Sequence, residues 1–502
     1  MSLTKKVTSA GLIFLAVGGS AMTVPRLAFG ASGSPSFVTA DLDRMFNSIK
    51  SAEQGVVFTR LHDQKILYEH EADQLLSPAS VTKVITSAAS LAYFGPAFTF
   101  VTPVYYTGKI TGHKLVGDLI IKGSGDPFLV SEILWQMAID LRHLGIQEVT
   151  GSLVIDNQLF DDESRDESRL NSTQKSSHAY DAPVSSFAVN FNTVAVATSP
   201  TTVGKPAFAS VTPFPLRHVK LSNTTKTVRG DQSSGVVLSR NSTAAGGISL
   251  ASGGVIGSES SIKKLYRSVG DPTVAAGDYV IGFLQDAGIR FKGSARVGKT
   301  PEDAHPLYDI HGYELRRIAQ GLNTFSNNFI ADMLTKRLGS SFGDLKNADA
   351  AGSGTLTAGV KVLTEFLQTS VGIQDEFKIF NGSGLSTENR ISARQIAAVL
   401  NWMEKQGELF PDFLASLPAS GWDGTLKKRL KNADALAGQI RAKSGTLTEP
   451  ITVAALAGFF RHPKEGWVSF AMIGNGRPGK GQPDLTQIRT LQDNVLKGLL
   501  TP

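Results

Sequence analysis

The sequence predicts an α+β protein, an antiparallel sheet with flanking helices that is interrupted by two nested β-rich insertions. Three observations lead there. An apolar helix pattern follows Ser77-Pro78-Ala79-Ser80-Val81-Thr82-Lys83, with Val84, Ile85, Ala88, Ala89 and Leu91 at helical spacing. Near the end, three strand-like runs, residues 440–447, 451–460 and 467–474, are parted by short turns and read as an antiparallel meander. Between these flanks the composition shifts twice, to β-rich segments and then to a Thr-, Ser-, Val- and Gly-rich stretch with few helix signals. At 502 residues the chain is too long for one ordinary core. The expected division is 1–30 as a leader, 31–95 with 305–502 as one domain, 96–196 with 266–304 as an inserted domain, and 197–265 as a β domain nested inside it.

The leader has the order of a secretory signal: Lys5 and Lys6, an apolar stretch from Ala10 to Met22, then Ala28-Phe29-Gly30 as a small-x-small cleavage site. Its apolar run is short for a bilayer span and is broken by Gly18-Gly19-Ser20, so cleavage and export are expected. A Gly/Ser/Pro-rich lead-in follows. Residues 41–51 present Leu42, Met45, Phe46 and Ile49 on one helix face, and 55–60 with 65–69 read as two strands. The Ser80 helix opens with Pro78, suited to a first turn, and stops at Gly95-Pro96.

Strand-like segments come next at 100–107, 115–122 and 151–156, with a helix expected over 131–144. The polar run 161–172 reads as a solvated loop. A helix over 277–287 and a strand at 289–293 resume the style of residues 97–196. From about His305 the chain reads as helical, with helices over 314–322, 328–338, 358–370 and 392–406. Leu485, Ile488, Val495 and Leu499 give a closing helix an apolar stripe for packing on the meander.

Composition narrows the function. A hydrophobic fraction of 41% and a charged fraction of 19% describe a globular chain. Without Lys5, Lys6 and Arg26 the formal charge falls from +6 to +3, too balanced to argue for nucleic acid. There is no cysteine, which excludes disulfides, thiolate metal sites and a cysteine nucleophile. The nine histidines show no ligand spacing, His-Glu-x-x-His does not occur, and no Gly-x-Ser-x-Gly follows a strand as a nucleophile elbow would. No metal or cofactor is expected.

Ser80 and Lys83 are three residues apart and so share one side of a helical turn. A lysine in a dry site loses proton affinity and can serve a serine as base. Alone the pair is a weak signal. Two further triplets strengthen it: Ser326-Asn327-Asn328 at a helix start, and Lys443-Ser444-Gly445-Thr446 on the first meander strand. Separately, the first is an ordinary N-cap and the second a charged strand residue beside a glycine. Together, in this order, the three mark penicillin-binding proteins and β-lactamases.

The chain resembles the class C low-molecular-mass penicillin-binding proteins, the D-alanyl-D-alanine carboxypeptidase/endopeptidase family. Further matching segments are Gly123-Ser124-Gly125-Asp126-Pro127, Tyr180-Asp181-Ala182-Pro183-Val184-Ser185-Ser186, Asn381-Gly382-Ser383-Gly384-Leu385-Ser386, Leu417-Pro418-Ala419 and Asp423-Gly424-Thr425-Leu426. The 246 residues between Ser80 and Ser326 exceed what a compact β-lactamase needs, and the family fills that interval with two inserted domains. Asn327 and Ser444 stand where the family usually has Asp and Thr, and each keeps the required chemistry.

The resemblance implies a penicillin-binding (serine transpeptidase-like) domain and a serine D,D-peptidase acting on peptidoglycan peptides, with β-lactams as inhibitors. Ser80 would attack, Lys83 would take its proton, and Ser326 and Asn328 would relay a proton and hold the substrate amide. Lys443 and Ser444 would receive a terminal carboxylate, Gly445 would leave room for an extended ligand along the strand, and the N–H groups of Ser80 and Thr446 would form the oxyanion hole. A periplasmic location follows, with no span in the mature chain and at most loose association with wall or membrane. Two rivals stand beside this: a β-lactamase, which would need a placed deacylating base such as a carboxylate on a short loop between the first two motifs, to which no pattern in the sequence points, and a non-catalytic wall-binding scaffold, against which the intact motifs argue.

Overall fold

The computed structural model describes residues 37–166, 177–231, 235–342, 354–430, 436–477, 479 and 481–500. The expected leader and the stretch 167–172 of the polar run lie outside the described residues.

The central sheet has five antiparallel strands in the order Ile440–Leu447, Val453–His462, Gly466–Gly476, Ala52–Arg60 and Ile66–His70. Its strands come from both ends of the chain. Lys443, Ala457, Ala471 and Val57 stand in one row across it. Because successive side chains alternate between faces, Val57, Ala455, Ala457, Phe459, Ala471 and Ile473 enter one apolar cluster, while Val56, Phe58, Leu456, Phe460, Phe470 and Met472 enter another. The first cluster receives the helices Lys83–Phe94, Leu315–Thr324, Asn328–Phe342, Leu356–Glu365, Ala393–Lys405 and Phe410–Ser416. The second receives Thr39–Phe46 and Leu485–Leu500. The closing helix buries Leu491, Val495, Leu496 and Leu499 there, each contributing about 1.5–3 kcal/mol of apolar burial. Ser392 and Gln395 form a reciprocal cap that starts Ala393–Lys405.

The middle of the chain builds four more sheets. One has five strands, Ala295–Val297, Leu153–Asp156, Leu119–Lys122, Thr99–Tyr106 and His305–Glu314; another has four, Arg290–Phe291, Glu148–Val149, Lys114–Val116 and Lys109–Thr111. Thr193–Ser199 pairs with Phe208–Thr212 and Lys263–Ser268, and a further sheet gathers around Ile248–Gly257. The helices Ser131–His143 and Pro272–Asp286 share one apolar cluster with these strands, from Val104 to Ile310. No helix among the described residues is long and apolar enough to cross a membrane.

Three readings of the sequence need correction. Residues 115–122 form two strands in two different sheets, because the chain turns at Gly117, where φ is +153° and a Cβ would meet the Thr107 carbonyl oxygen at 1.9 Å. The helical region starts at Leu315, not at His305: His305–Glu314 is a strand along Thr99–Tyr106, as Tyr308, Ile310 and Tyr313 favour, with register shifts after Pro306 and around Gly312. The described part of the polar run is not a solvated loop. Lys336, buried on Asn328–Phe342, donates to Asp161 and, at 2.6 Å, to the Glu163 carbonyl. Asp166 is buried and accepts from Asn381 Nδ2 at 3.3 Å.

Candidate active site

The Ser80 stretch begins as a tight 3-10 turn, Ala79–Thr82, before the α-helix Lys83–Phe94. Ala79 has φ +46°, a left-handed conformation that costs a non-glycine residue about 1 kcal/mol or more. Surrounding contacts hold it. Thr82 Oγ1 donates to the Ala79 carbonyl at 2.8 Å, and Asn389 Nδ2 donates to Thr82 Oγ1 at 2.9 Å. Two glycines let other segments close on the turn: a Cβ on Gly384 would lie 1.9 Å from the Ala79 oxygen, and one on Gly445 would lie 2.4 Å from the Pro78 oxygen. The face of the strand on which a Gly445 side chain would stand is therefore occupied by the Ser80 turn.

Lys83 is fully buried, and its ammonium donates to Ser80 Oγ at 3.0 Å, Asn328 Oδ1 at 2.7 Å and the Ser383 carbonyl at 2.5 Å. Ser383 lies in the Asn381-Gly382-Ser383-Gly384 loop, which Asn381 stiffens by accepting from Gly384 N at 2.8 Å. Thr86 Oγ1 ties the same loop to the helix by donating to the Gly382 carbonyl at 2.7 Å.

In the second triplet the three residues divide their work. Asn327 is the cap, its Oδ1 accepting from Ile330 N at 3.2 Å. That leaves Ser326 and Asn328 free to face the site. Ser326 has φ +56°, and its Oγ accepts from Lys443 Nζ at 2.7 Å. Asn328 accepts from Lys83 and donates from Nδ2 to the Tyr180 carbonyl at 3.0 Å. A segment of the middle region thus fixes the amide's orientation.

Lys443 stands on the edge strand of the central sheet and is fully buried. Its side chain shares the row parity of Ala457, Ala471 and Val57, on the face that carries the Ser80 helix, and it also donates to the Ser444 carbonyl at 2.7 Å. Burial, and secondarily the positive charge of Lys83, push its proton affinity well below the ordinary lysine value. Ser444 Oγ donates to Thr425 Oγ1 at 2.7 Å. Thr446 Oγ1 accepts from Arg489 on the closing helix at 2.5 Å. Among the described residues no three metal-ligating side chains gather.

The structure thus links Ser80, Lys83 and Asn328 in one hydrogen-bonded set and Ser326 with Lys443 in a second, with Gly445 seated on the nucleophile turn. The sequence reading assigned no role to Ser383, Tyr180 or Thr425, although all three lie in segments that carried the family resemblance. Arg489 had no sequence signal.

A serine hydroxyl on a buried lysine, with a second buried lysine on the sheet edge, is an arrangement suited to acyl transfer through a serine. The D-Ala-D-Ala carboxypeptidase 3 (S13) family profile matches residues 38–498. The chain belongs to that family. It is 29% identical over 472 residues to a D-alanyl-D-alanine carboxypeptidase of Actinomadura sp. (strain R39), covering 91% of this chain and 84% of that one. It is 23% identical over 452 residues to the D-alanyl-D-alanine carboxypeptidase DacB of Haemophilus influenzae, covering 88% and 89%. The crystal structure of penicillin binding protein 4 (dacB) from Haemophilus influenzae superposes with a TM-score of 0.72 at 20% identity, over 92% of this chain and 99% of that one. At that identity the likeness speaks for the fold.

Proposed function

We propose that this enzyme cleaves the D-alanyl-D-alanine bond of peptidoglycan stem peptides, D-alanyl cross-links or both through an acyl-enzyme on Ser80. Ser80 Oγ attacks the carbonyl carbon while its proton passes to Lys83 in its neutral amine form. The N–H groups of Ser80 and Thr446 receive the developing oxyanion. The carbon–nitrogen bond then breaks and the leaving amine takes a proton through Ser326. Water next attacks the ester, releasing the shortened peptide and returning the proton to Ser80. Asn328 holds Lys83 and the substrate amide. Lys443 supplies charge to the substrate carboxylate, and the Ser444–Thr425 hydroxyl pair can turn a proton toward it. Gly445 serves by letting the nucleophile turn reach the strand.

The observation that carries this reading is Lys83 Nζ at 3.0 Å from Ser80 Oγ, anchored on its far side by Asn328 and Ser383. Geometry of this kind is what a nucleophile and its base require. Labelling with a fluorescent penicillin tests it. The wild type should carry a covalent adduct on Ser80, and Ser80→Ala should fold and carry none; undiminished labelling of that variant would end the assignment.

The reading extends to organisation and place. Residues 31–95 with 315–502 would form the catalytic domain, 96–196 with 266–314 an insertion, the boundary moving from 305 because His305–Glu314 pairs with Thr99–Tyr106 in the middle region's sheet, and 197–265 a unit nested in it. A central sheet drawn from both chain ends supports that division. Removal of residues 1–30 on export would leave a periplasmic protein in at most loose contact with wall or membrane, and N-terminal sequencing of the exported form tests this.

A further inference from the structure

Two aromatic side chains stand in water beside the site. Phe325 is 72% exposed, more than any other large apolar side chain among the described residues, and Trp422 is 61% exposed. One exposed aromatic needs no explanation. These two sit on fixed backbone. Phe325 ends the helix Leu315–Thr324, directly before Ser326, and Asn327 N closes that end on the Leu322 carbonyl at 3.1 Å. Trp422 N donates to the Ala419 carbonyl at 3.2 Å, and Asp423 Oδ1 accepts from Ala419 N at 2.7 Å. Gly438 seats the indole: a Cβ there would lie 2.6 Å from the ring.

The two segments also meet. A Cβ on Gly424 would lie 2.1 Å from the Thr324 carbonyl oxygen, and the next residue, Thr425, holds Ser444. Phe325 and Trp422 therefore flank the contact that joins Ser326 to the Thr425–Ser444 pair. On the reading proposed above, that is the leaving-group end of the cleft, where the amine is protonated and the carboxylate is held. A lone D-alanine ends at that carboxylate. A peptide leaving group carries further residues that branch from the one bearing the amine, each adding up to about 3.3 Å of reach.

We infer that Phe325 and Trp422 form a platform for the peptide released from a D-alanyl cross-link, and so favour cross-linked substrate over linear stem peptide. Rigid, exposed aromatics bury large area at little entropic cost when a ligand lies on them. Contacts made by a non-reacting part of the substrate can be used to lower the barrier at the scissile bond. The chemistry is unchanged: Ser80 Oγ bonds to the D-alanyl carbon, the amide bond breaks, the amine of the second peptide leaves protonated, and water restores the serine.

The experiment measures kcat/KM for a purified D-alanyl-cross-linked peptide dimer and for a linear peptide ending in D-Ala-D-Ala. Phe325→Ala and Trp422→Ala should each lower the dimer-to-linear ratio about tenfold, the scale of removing one aromatic side chain from a binding surface. Phe325→Tyr should restore it, and Phe208→Ala, a comparably exposed aromatic in the middle region, should leave it unchanged. Equal losses on both substrates, no loss on either, or a wild type that leaves the dimer intact would each overturn the proposal. So would a concentration-dependent self-association that disappears in the variants while the ratio holds. Penicillin labelling of Ser80 in the same preparations reports separately on the underlying reading.

Discussion

Lys443 donates to Ser326 Oγ at 2.7 Å from a fully buried ammonium, joining the edge of the sheet to the start of a helix 117 residues before it in the chain. Its lowered proton affinity has a consequence for pH. Lys443 carries charge at low pH and loses it as pH rises through a value below 10.5. The ratio of kcat/KM for a carboxylate-ended peptide over its amide should therefore fall along that alkaline limb, and kcat/KM reports the free enzyme. Lys443→Ala should show a low ratio with no limb. A wild-type ratio that stays constant up to pH 10.5 would contradict the assignment. In the same window the unfolded chain binds the proton that the folded one has released, so this group makes stability rise with pH.

Lys83→Met should slow penicillin acylation by about 10²–10⁴-fold, the usual contribution of a positioned base. It also leaves Asn328 Oδ1 and the Ser383 carbonyl without their donor, at about 1–3 kcal/mol each. Stopped-flow acylation and a thermal melt read the two effects separately. A variant acylated at the wild-type rate would remove Lys83 from the mechanism.

Gly384→Ala tests the loop that cradles Lys83. Gly384 has φ +70°, and the added carbon would meet the Ala79 oxygen at 1.9 Å. Overpacking of this kind costs about 1–3 kcal/mol and displaces the nucleophile turn. Both a lower melting temperature and slower acylation are expected. A stable variant with slow acylation would show that the loop acts through position alone, and one unchanged in both would refute the cradle.

Asp161→Asn tests how the middle region is fastened to the catalytic helices. The change leaves the buried Lys336 ammonium without its counter-charge, at a cost of about 3 kcal/mol. A lower urea midpoint at unchanged slope is the expected result. A solvated loop, as the polar composition suggested, would show no measurable change.

Much of the site was legible because its chemistry is written in short local patterns. Ser80 with Lys83 is a single helical turn, and the triplets at Ser326 and Lys443 name residue types that few other tasks require together. The partners of these residues were not legible. Ser383 and Tyr180 act through backbone carbonyls, which every residue possesses, so no side-chain type announces them. Arg489 meets Thr446 only because the closing helix lies against the second face of the sheet. Of the fold, the meander and the apolar helices followed from periodicity, while His305–Glu314 was read as helix because its partner strand, Thr99–Tyr106, lies about 200 residues away.

By itself, then, the sequence determined the α+β class and the kinds of group available for acyl transfer, because residue type and spacing within one turn or one strand set these. Tertiary structure decided which groups touch. Gly445 reads from sequence as a position kept small, and only the fold shows that the Pro78 carbonyl lies where its side chain would stand. Asn327 reads from sequence only as a departure from the family's usual Asp; in the fold it is the residue of the triplet that caps the helix, which releases its two neighbours to the site. Lys443 reads as a strand cation, and only its complete burial beside Lys83 lowers its proton affinity. Each of these outcomes depends on backbone brought together across long stretches of chain, and burial and mutual distance are properties that no local pattern contains.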